Sequence, residues 1–418
     1  MLAVAGDLSQ RIALYLAAHA ALFALYGAAV WLVLARPERA PGIGAVLLAA
    51  VVFRAILLPA APALSDDLYR YIWEGRVQLH GFNPWEHPPD DPVLAGLRDP
   101  LWEKINNKDL PAIYPPLAQW ACALGALAGP STTMMKLVFV VADLLLCFVL
   151  ARLLRARGQP AVRALVYAWN PLVVTEVAGS GHNDSLAMLF VAISVLVIIE
   201  RRPAGSMLAL GAAALSKLFP LALLAFFIKR VRPAWLLLPP AMLVAGYIPY
   251  GAAGAGLFQS SREFAQRWRG HESLFLGVES AIAASGISGP LKDLADARGW
   301  PSLYTQPHML ARGAAALLAL AALTWLARRC ALGSLDLPEA IAAFTGIVLL
   351  LSPVLHPWYL IWILPWMALT PMASWLTLSF LAAAFHAAMP GWMTAAVYTL
   401  FFVLLVVELA RPPWRARM

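Results

Sequence analysis

Charge is scarce in this chain. Of its 418 residues only 13% are Asp, Glu, Lys or Arg, against 61% hydrophobic. Soluble globular proteins carry about 25% charge and about 45–50% apolar residues, so the shortage argues against a soluble domain. A mean hydropathy of +0.72 places the chain among membrane proteins. Cysteine is scarcer still: Cys122, Cys147 and Cys330 lie in or beside apolar segments, without paired spacing. That excludes a disulfide framework and a cysteine metal site. The eight histidines are scattered, with no His-x-x-x-His, Cys-x-x-Cys or calcium-loop spacing, so no metal or other cofactor is expected, although Asp66, Asp67 and Asp184 could collect Mg²⁺ or Mn²⁺. A Gly-rich nucleotide loop is missing, which argues against a nucleotide-sugar donor. No clustered basic and aromatic patch suits nucleic acid. Asp7 precedes the first apolar run, and the basic n-region and cleavage site of a signal peptide are lacking.

What the chain does have is apolar runs. An unbroken span takes about 17–25 apolar residues. Candidates are 11–35, 42–58, 132–154, 163–178, 185–199, 234–250, 308–327, 339–351, 358–370, 373–388 and 393–410. Segment 115–128 is short for a crossing. Segment 206–228 is broken at Lys217-Leu218-Phe219-Pro220, where proline removes a helix bond, and it reads as two short helices meeting at the lysine. The expected fold is all-α: one polytopic transmembrane bundle over 1–418, with about 12–14 spans on the usual span length.

Basic residues mark the inside turns. Arg36 with Arg39, Arg152 to Arg163, Arg201 with Arg202, Lys229 to Arg232, Arg328 with Arg329, and the tail Arg411, Arg415 and Arg417 form that set. The +8 net charge is thus spread over helix ends facing anionic lipid headgroups. Outside fall 65–113, 179–184, the Lys217 break, 251–307 and 353–357. If 115–128 crosses fully, the count downstream reverses, so it is re-entrant or the rule fails nearby. Loops longer than about 12–15 residues are usually functional or disordered. The first external loop (65–113) and the second (251–307) are too rich in Trp, Tyr and Leu for disorder, and should fold as short amphipathic helices on the membrane face.

The first loop opens on Ser65-Asp66-Asp67-Leu68-Tyr69-Arg70-Tyr71. Adjacent carboxylates at a membrane boundary disfavour each other's ionisation and are expensive to bury. They serve as a base, bind a hydroxyl or cation, or merely cap a short amphipathic helix. Gly181-His182-Asn183-Asp184-Ser185 likewise caps a helix or lines a pocket. Arg54 and Glu176, inside apolar spans, could pair with each other or line a cavity, and their partners are unreadable.

The run Asp66-Asp67-Leu68-Tyr69-Arg70-Tyr71-Ile72-Trp73-Glu74-Gly75-Arg76, followed by Gly81-Phe82-Asn83-Pro84-Trp85 and Ile113-Tyr114-Pro115-Pro116-Leu117, resembles the first external loop of GT-C glycosyltransferases. Leu355-His356-Pro357-Trp358-Tyr359-Leu360-Ile361-Trp362 resembles that class's later external stretch. Within the class the chain looks most like bacterial polyprenol-phosphate-mannose-dependent mannosyltransferases. The resemblance runs from about Ser65 to Trp366 and speaks to class more than to sugar.

That resemblance implies an inverting transferase of the bacterial inner membrane, with its site facing the periplasm or exterior. It would move a sugar, mannose or another hexose or pentose, from a polyprenyl-phosphate carrier. The acceptor is a hydroxyl on a glycolipid, glycan or protein. Asp66 would be the base, with Asp67 orienting the acceptor or Arg70. A carboxylate in hydrogen-bond reach can take the hydroxyl proton, and the phosphate leaves without a strong acid. Lys217, His356, Arg267 and Arg269 are candidates for the carrier phosphate, although Lys217 can also snorkel to headgroups and the two arginines can be a solvated face. Tyr69, Arg70, Trp73, Tyr114, His182, Asp184 and Tyr359 are candidates for substrate contact, while an interfacial aromatic belt explains some of the rings. The rival is a lipid-sugar flippase or other transporter. Transporters favour mid-membrane acids and repeated halves; here no internal repeat is seen and the acids sit on an external loop.

Overall fold

The computed structural model describes residues 10–387 and 389–410, so Asp7, the 388 end of one expected span and the basic tail at Arg411, Arg415 and Arg417 lie outside the described residues. Among them there is no strand, only an isolated bridge between Gly270 and Val354. The first half holds α1 (Ile12–Ala35), α2 (Ile43–Leu57), α3 (Asp67–Leu79), α4 (Pro116–Ala126), α5 (Thr132–Ala156), α6 (Leu165–Ala168), α7 (Pro171–Val174), α8 (Asp184–Ile199) and α9 (Pro203–Ser216). The second holds α10 (Pro233–Leu236), α11 (Leu238–Tyr247), α12 (Gln259–Arg267), α13 (Leu274–Ser285), α14 (Ser288–Ala297), α15 (Pro307–Ala331), α16 (Leu337–Leu351), α17 (Ala373–Leu381) and α18 (Gly391–Ala410). The all-α membrane fold follows.

Continuous crossings are fewer than the 12–14 expected. Among the described residues five helical runs are long and apolar enough to cross alone: Ile12–Ala35, Thr132–Ala156, Pro233–Arg267, Pro307–Ala331 and Gly391–Ala410. The rest are short or broken, and proline is the main reason. Run 163–178 divides at Asn170-Pro171 and ends in a π-helical turn, Thr175–Ser180. Run 358–370, which holds Pro365, becomes two 3-10 segments, Pro357–Trp362 and Leu364–Ala368. α4 has 11 residues, about 16 Å at 1.5 Å each, too short for a hydrocarbon core of about 30 Å. It packs against α3 and α5 instead.

The break at Lys217 forms as its sequence requires. α9 ends where Lys217 turns extended (φ −149°, ψ 145°), and Pro220 sits at the start of a 3-10 segment, Phe219–Phe227, that leads back toward Arg230. α8 and α9 pack closely along each other. Asp184 and Lys217 therefore meet at one end of this pair, while Arg201 and Arg230 line a common cavity at the other.

Three polar segments fold against one another. Ser260 Oγ donates to the Pro111 carbonyl at 2.6 Å, joining the two long loops. Gly270 N–H donates to Pro353 O at 3.0 Å and Leu355 N–H to Gly270 O at 2.8 Å, joining the second loop to the stretch before Trp358. α4 is tied to the first loop by Gln119, whose Nε2 donates to Glu74 Oε2 at 2.5 Å and whose Oε1 accepts from Gln78 Nε2 at 3.1 Å. Inside the bundle Arg54 pairs with Asp143 at 2.5 Å, with both side chains fully buried, and Tyr167 hydroxyl donates to the same carboxylate. Glu176 bonds His386 at 2.7 Å, so Arg54 and Glu176 are not each other's partners.

Gly75 is where α3 meets α4 most closely: a Cβ there would overlap the Cys122 carbonyl and lie 2.9 Å from Ala126 Cβ. Gly75→Val is expected to push α3 off α4 at a cost of about 1–3 kcal/mol. A thermal melt of the purified variant checks it; an unchanged Tm would contradict the packing.

Candidate active site

A cavity of about 540 Å³ opens where the first loop, the Lys217 break and the 356–362 stretch converge. Asp66, Asp67, Arg70, Tyr114, Lys217, His356 and Tyr359 line it. Asp66, at the N-terminal cap of α3, is exposed, while the Asp67 side chain is 27% exposed. Asn106 Nδ2 donates to Asp66 Oδ1 at 2.7 Å and reaches Asp67 Oδ1 at 3.5 Å, holding the two carboxylates together. Burial pushes the Asp67 carboxyl up to about 6, with the negative Asp66 adding to the rise, against the pull of Asn106 and Lys217. A carboxylate that titrates there is ionised at neutral pH yet basic enough to accept a proton.

Opposite stands Lys217. Its ammonium is 2.8 Å from Asp184 Oδ1, in a ring of aromatic faces: Tyr114 at 5.0 Å, Trp362 at 5.5 Å and Tyr359 at 5.8 Å. Trp362 Nε1 also donates to Asp184 Oδ1, at 2.6 Å. Lysine has three N–H donors, so the Asp184 bond leaves others for an anion. Arg70 is less free. It bonds Glu74 at 2.6 Å, the Asn107 carbonyl at 2.9 Å and the Leu110 carbonyl, pinning the loop to α3. These are the two Lys or Arg side chains among the described lining residues, and both are already paired.

His356 is stacked on Trp358 at 4.3 Å. Burial, then the nearby His271, His386 and Lys217, lower its ring to about 4, so at neutral pH it offers a neutral N–H and no charge. Directly behind the cavity lies His182, 3.7 Å from Asp67, 3.4 Å from Glu176 and stacked on Trp358 at 3.8 Å. Burial holds it well below the usual imidazole range. His182 and Asp184 thus back the lining and do not form it.

Four expected residues lie elsewhere. Trp73 is buried with Val77, Leu94 and Ile105 in a small core within the first loop, and Tyr69 packs on that core. Arg267 pairs with Glu263 at 2.9 Å on α12. Arg269 pairs with Glu272 and Glu279, each at 2.6 Å. Neither arginine lines the cavity; the Trp268 between them does. Residues not singled out beforehand are Asn106, Phe219, Trp358 and Trp362. The last pairs with Phe219 at 5.0 Å and Tyr359 at 5.1 Å in near-parallel stacks, an aromatic wall for a sugar face or an apolar chain. Only Asn106 lacked a signal, since a polar loop residue far along the chain gives no hint of its partner. Among the described residues no group of three or more His, Cys, Asp or Glu is arranged to hold a metal ion.

Residues 3–232 match the family model described as alpha-(1->6)-mannopyranosyltransferase, N-terminal domain. The match includes Asp66, Asp67, Asp184 and Lys217 and stops before His356. An alpha-(1->6)-mannopyranosyltransferase of Mycobacterium tuberculosis is 24% identical over 384 residues, covering 77% of this chain and 64% of the relative. A probable alpha-(1->6)-mannopyranosyltransferase of Mycolicibacterium smegmatis is 26% identical over 376 residues, covering 77% and 63%. Alpha-(1->6)-mannopyranosyltransferase A of Corynebacterium glutamicum is 25% identical over 156 residues, 35% of this chain and 30% of its own. The chain therefore spans less than two thirds of the length of these relatives. No solved structure matches it.

The buried ion pair sets a clear expectation. Lys217→Met strands the Asp184 carboxylate and should cost about 3–5 kcal/mol of stability, the usual result of breaking a buried pair. Lys217→Met with Asp184→Leu should cost much less than the two single changes together. Additive losses in denaturant titrations would show that the two groups do not interact.

Proposed function

The chain belongs to the alpha-(1->6)-mannopyranosyltransferase family, and on that footing we propose that it transfers mannose from a polyprenyl-phosphate carrier to a mannose-containing glycan or glycolipid, by an alpha-(1->6) linkage, at the outer face of the bacterial inner membrane. The observation that carries this reading is the meeting, in one cavity, of a carboxylate pair from the first loop and a lysine held at a helix break. The acceptor hydroxyl approaches Asp66 at the open mouth. As its oxygen bonds to C1, the C1–O bond to phosphate breaks, the proton passes to Asp66, and the electron pair leaves with the carrier phosphate. One displacement at C1 inverts its configuration. Asp67, tied to the same Asn106, orients the acceptor.

Lys217 keeps its bond to Asp184 and turns its remaining N–H donors to the phosphate, with the neutral His356 ring donating beside it. The aromatic wall of Phe219, Tyr359 and Trp362 receives the sugar or the first isoprene units. Arg70 shapes the mouth by fixing the loop. No cofactor enters the reading: Lys217 is the cation that meets the departing charge. EDTA treatment should leave the rate unchanged, and loss of activity restored by magnesium would assign that task to a metal instead.

Purified full-length protein, given a short-chain polyprenyl-phosphate mannose and a mannan oligosaccharide, should yield an acceptor heavier by one hexose in mass spectra. Asp66→Asn should lower turnover by at least about 100-fold while donor still binds, the usual scale of lost base catalysis. A transporter would instead keep its substrate movement in that variant. The rate should fall as the pH drops through about 6, where Asp67 takes up a proton and no longer accepts from the acceptor hydroxyl it orients. A flat profile from pH 5 to pH 8 would remove the carboxylate pair from the mechanism.

A further inference from the structure

A second cavity of about 450 Å³ lies at the far end of the α8–α9 pair, lined by Arg157, Arg201, Arg230 and Asp336 with Ile198 and Ile199 beside them. α8 separates it from the sugar site. Its 16 residues run from Asp184 to Ile199, about 24 Å at 1.5 Å each, against about 30 Å for a hydrocarbon core. The two cavities lie at opposite ends of α8, and the arginines gathered at the second mark it as the inside face.

The charges at this second cavity do not cancel. Arg157 pairs with Asp336, while Arg201 and Arg230 have no carboxylate partner among the described residues. Arg230 Nη1 donates to the Phe226 carbonyl at 3.1 Å, and the guanidinium also meets the Cys330 thiol, neither of which neutralises its charge. Two uncompensated guanidiniums beside apolar walls suit a ligand with phosphate at one end and hydrocarbon at the other. Guanidinium forks match phosphate oxygens, and basic pockets between transmembrane helices on the cytoplasmic side bind phospholipid headgroups. Ile228, two residues before Arg230, is exposed and apolar.

The backbone at Arg201 points the same way. α8 ends with Arg202 N–H on the Val197 carbonyl and Arg201 N–H on the Ile198 carbonyl, which forces Arg201 into the left-handed region at φ 61°. Glycine is the unstrained choice there. The chain uses it after α5 (Gly158, φ 68°), α13 (Gly286, φ 68°) and α15 (Gly333, φ 74°). At α8 an arginine occupies the strained position, so its side chain is retained against the backbone's preference.

We propose that this cavity binds the phosphate headgroup of an anionic phospholipid in the leaflet opposite the sugar site. Thermal unfolding of the purified full chain in neutral detergent tests it, with phosphatidylglycerol, phosphatidylcholine or inorganic phosphate added separately. Phosphatidylglycerol should raise the Tm by several degrees, phosphatidylcholine and inorganic phosphate should not, and Arg230→Gln should lose at least half of the rise. Arg201→Gly should lose it too, yet melt no lower than the parent without lipid, because it relieves the strained turn. A full rise in both variants, or an equal rise with phosphatidylcholine, overturns the site. An equal rise with inorganic phosphate alone overturns the lipid as its occupant.

Discussion

The Asp184 carboxylate is the constraint around which the rest is arranged. It stands at the first turn of α8 and receives Lys217 from the α9 break and Trp362 from the 3-10 segment after α16. Neither charge could stay buried alone, since an unpaired ion in a low-dielectric site costs several kcal/mol. The pair therefore forces three segments of distant sequence to meet at one depth. Their meeting creates the wall of the cavity, and the first loop closes it from the other side.

This also explains why the span near Lys217 is broken. A continuous helix would carry the residues after Lys217 onward along the α9 axis instead of turning them back. Pro220 ends that continuity, and the returning 3-10 segment brings Lys229 and Arg230 back to the face that carries the other arginines. One short excursion thus sets a cation at the first cavity and a basic cluster at the second. The buried Arg54–Asp143 pair, with Tyr167 on the same carboxylate, ties α2, α5 and α6 together in a similar way deeper in the bundle.

Much of this was legible beforehand where local chemistry decides the outcome. The Lys217 break follows from the proline three residues on, and long uniform runs such as α1, α5, α15 and α18 match their expected spans closely. Run 163–178 misled because its apolar content hid Asn170-Pro171, a breaker in plain view. The first loop was recognisable as a helix, but its two faces were not separated. Tyr69, Trp73 and Val77 recur every four residues and so share one side, which turns into the loop's own core. Arg70 and Glu74 share another. Arg267 and Arg269 misled for a different reason: their carboxylate partners lie within ten residues along the chain, and short-range pairing consumes their charge. What no local pattern could reveal was the chain of contacts between distant segments, Asn106 on Asp66 and Trp362 on Asp184, because each depends on the tertiary fold.

The central claim is that the carrier's phosphate end docks beside Lys217 against the aromatic wall. Photo-crosslinking settles it most directly, using a polyprenyl-phosphate analogue with a diazirine in its first isoprene unit and mapping the labelled peptides by mass spectrometry. Labels should fall on the peptides containing Phe219 and Tyr359 and be displaced by unlabelled carrier. Competable labelling confined to segments outside this cavity would contradict the account.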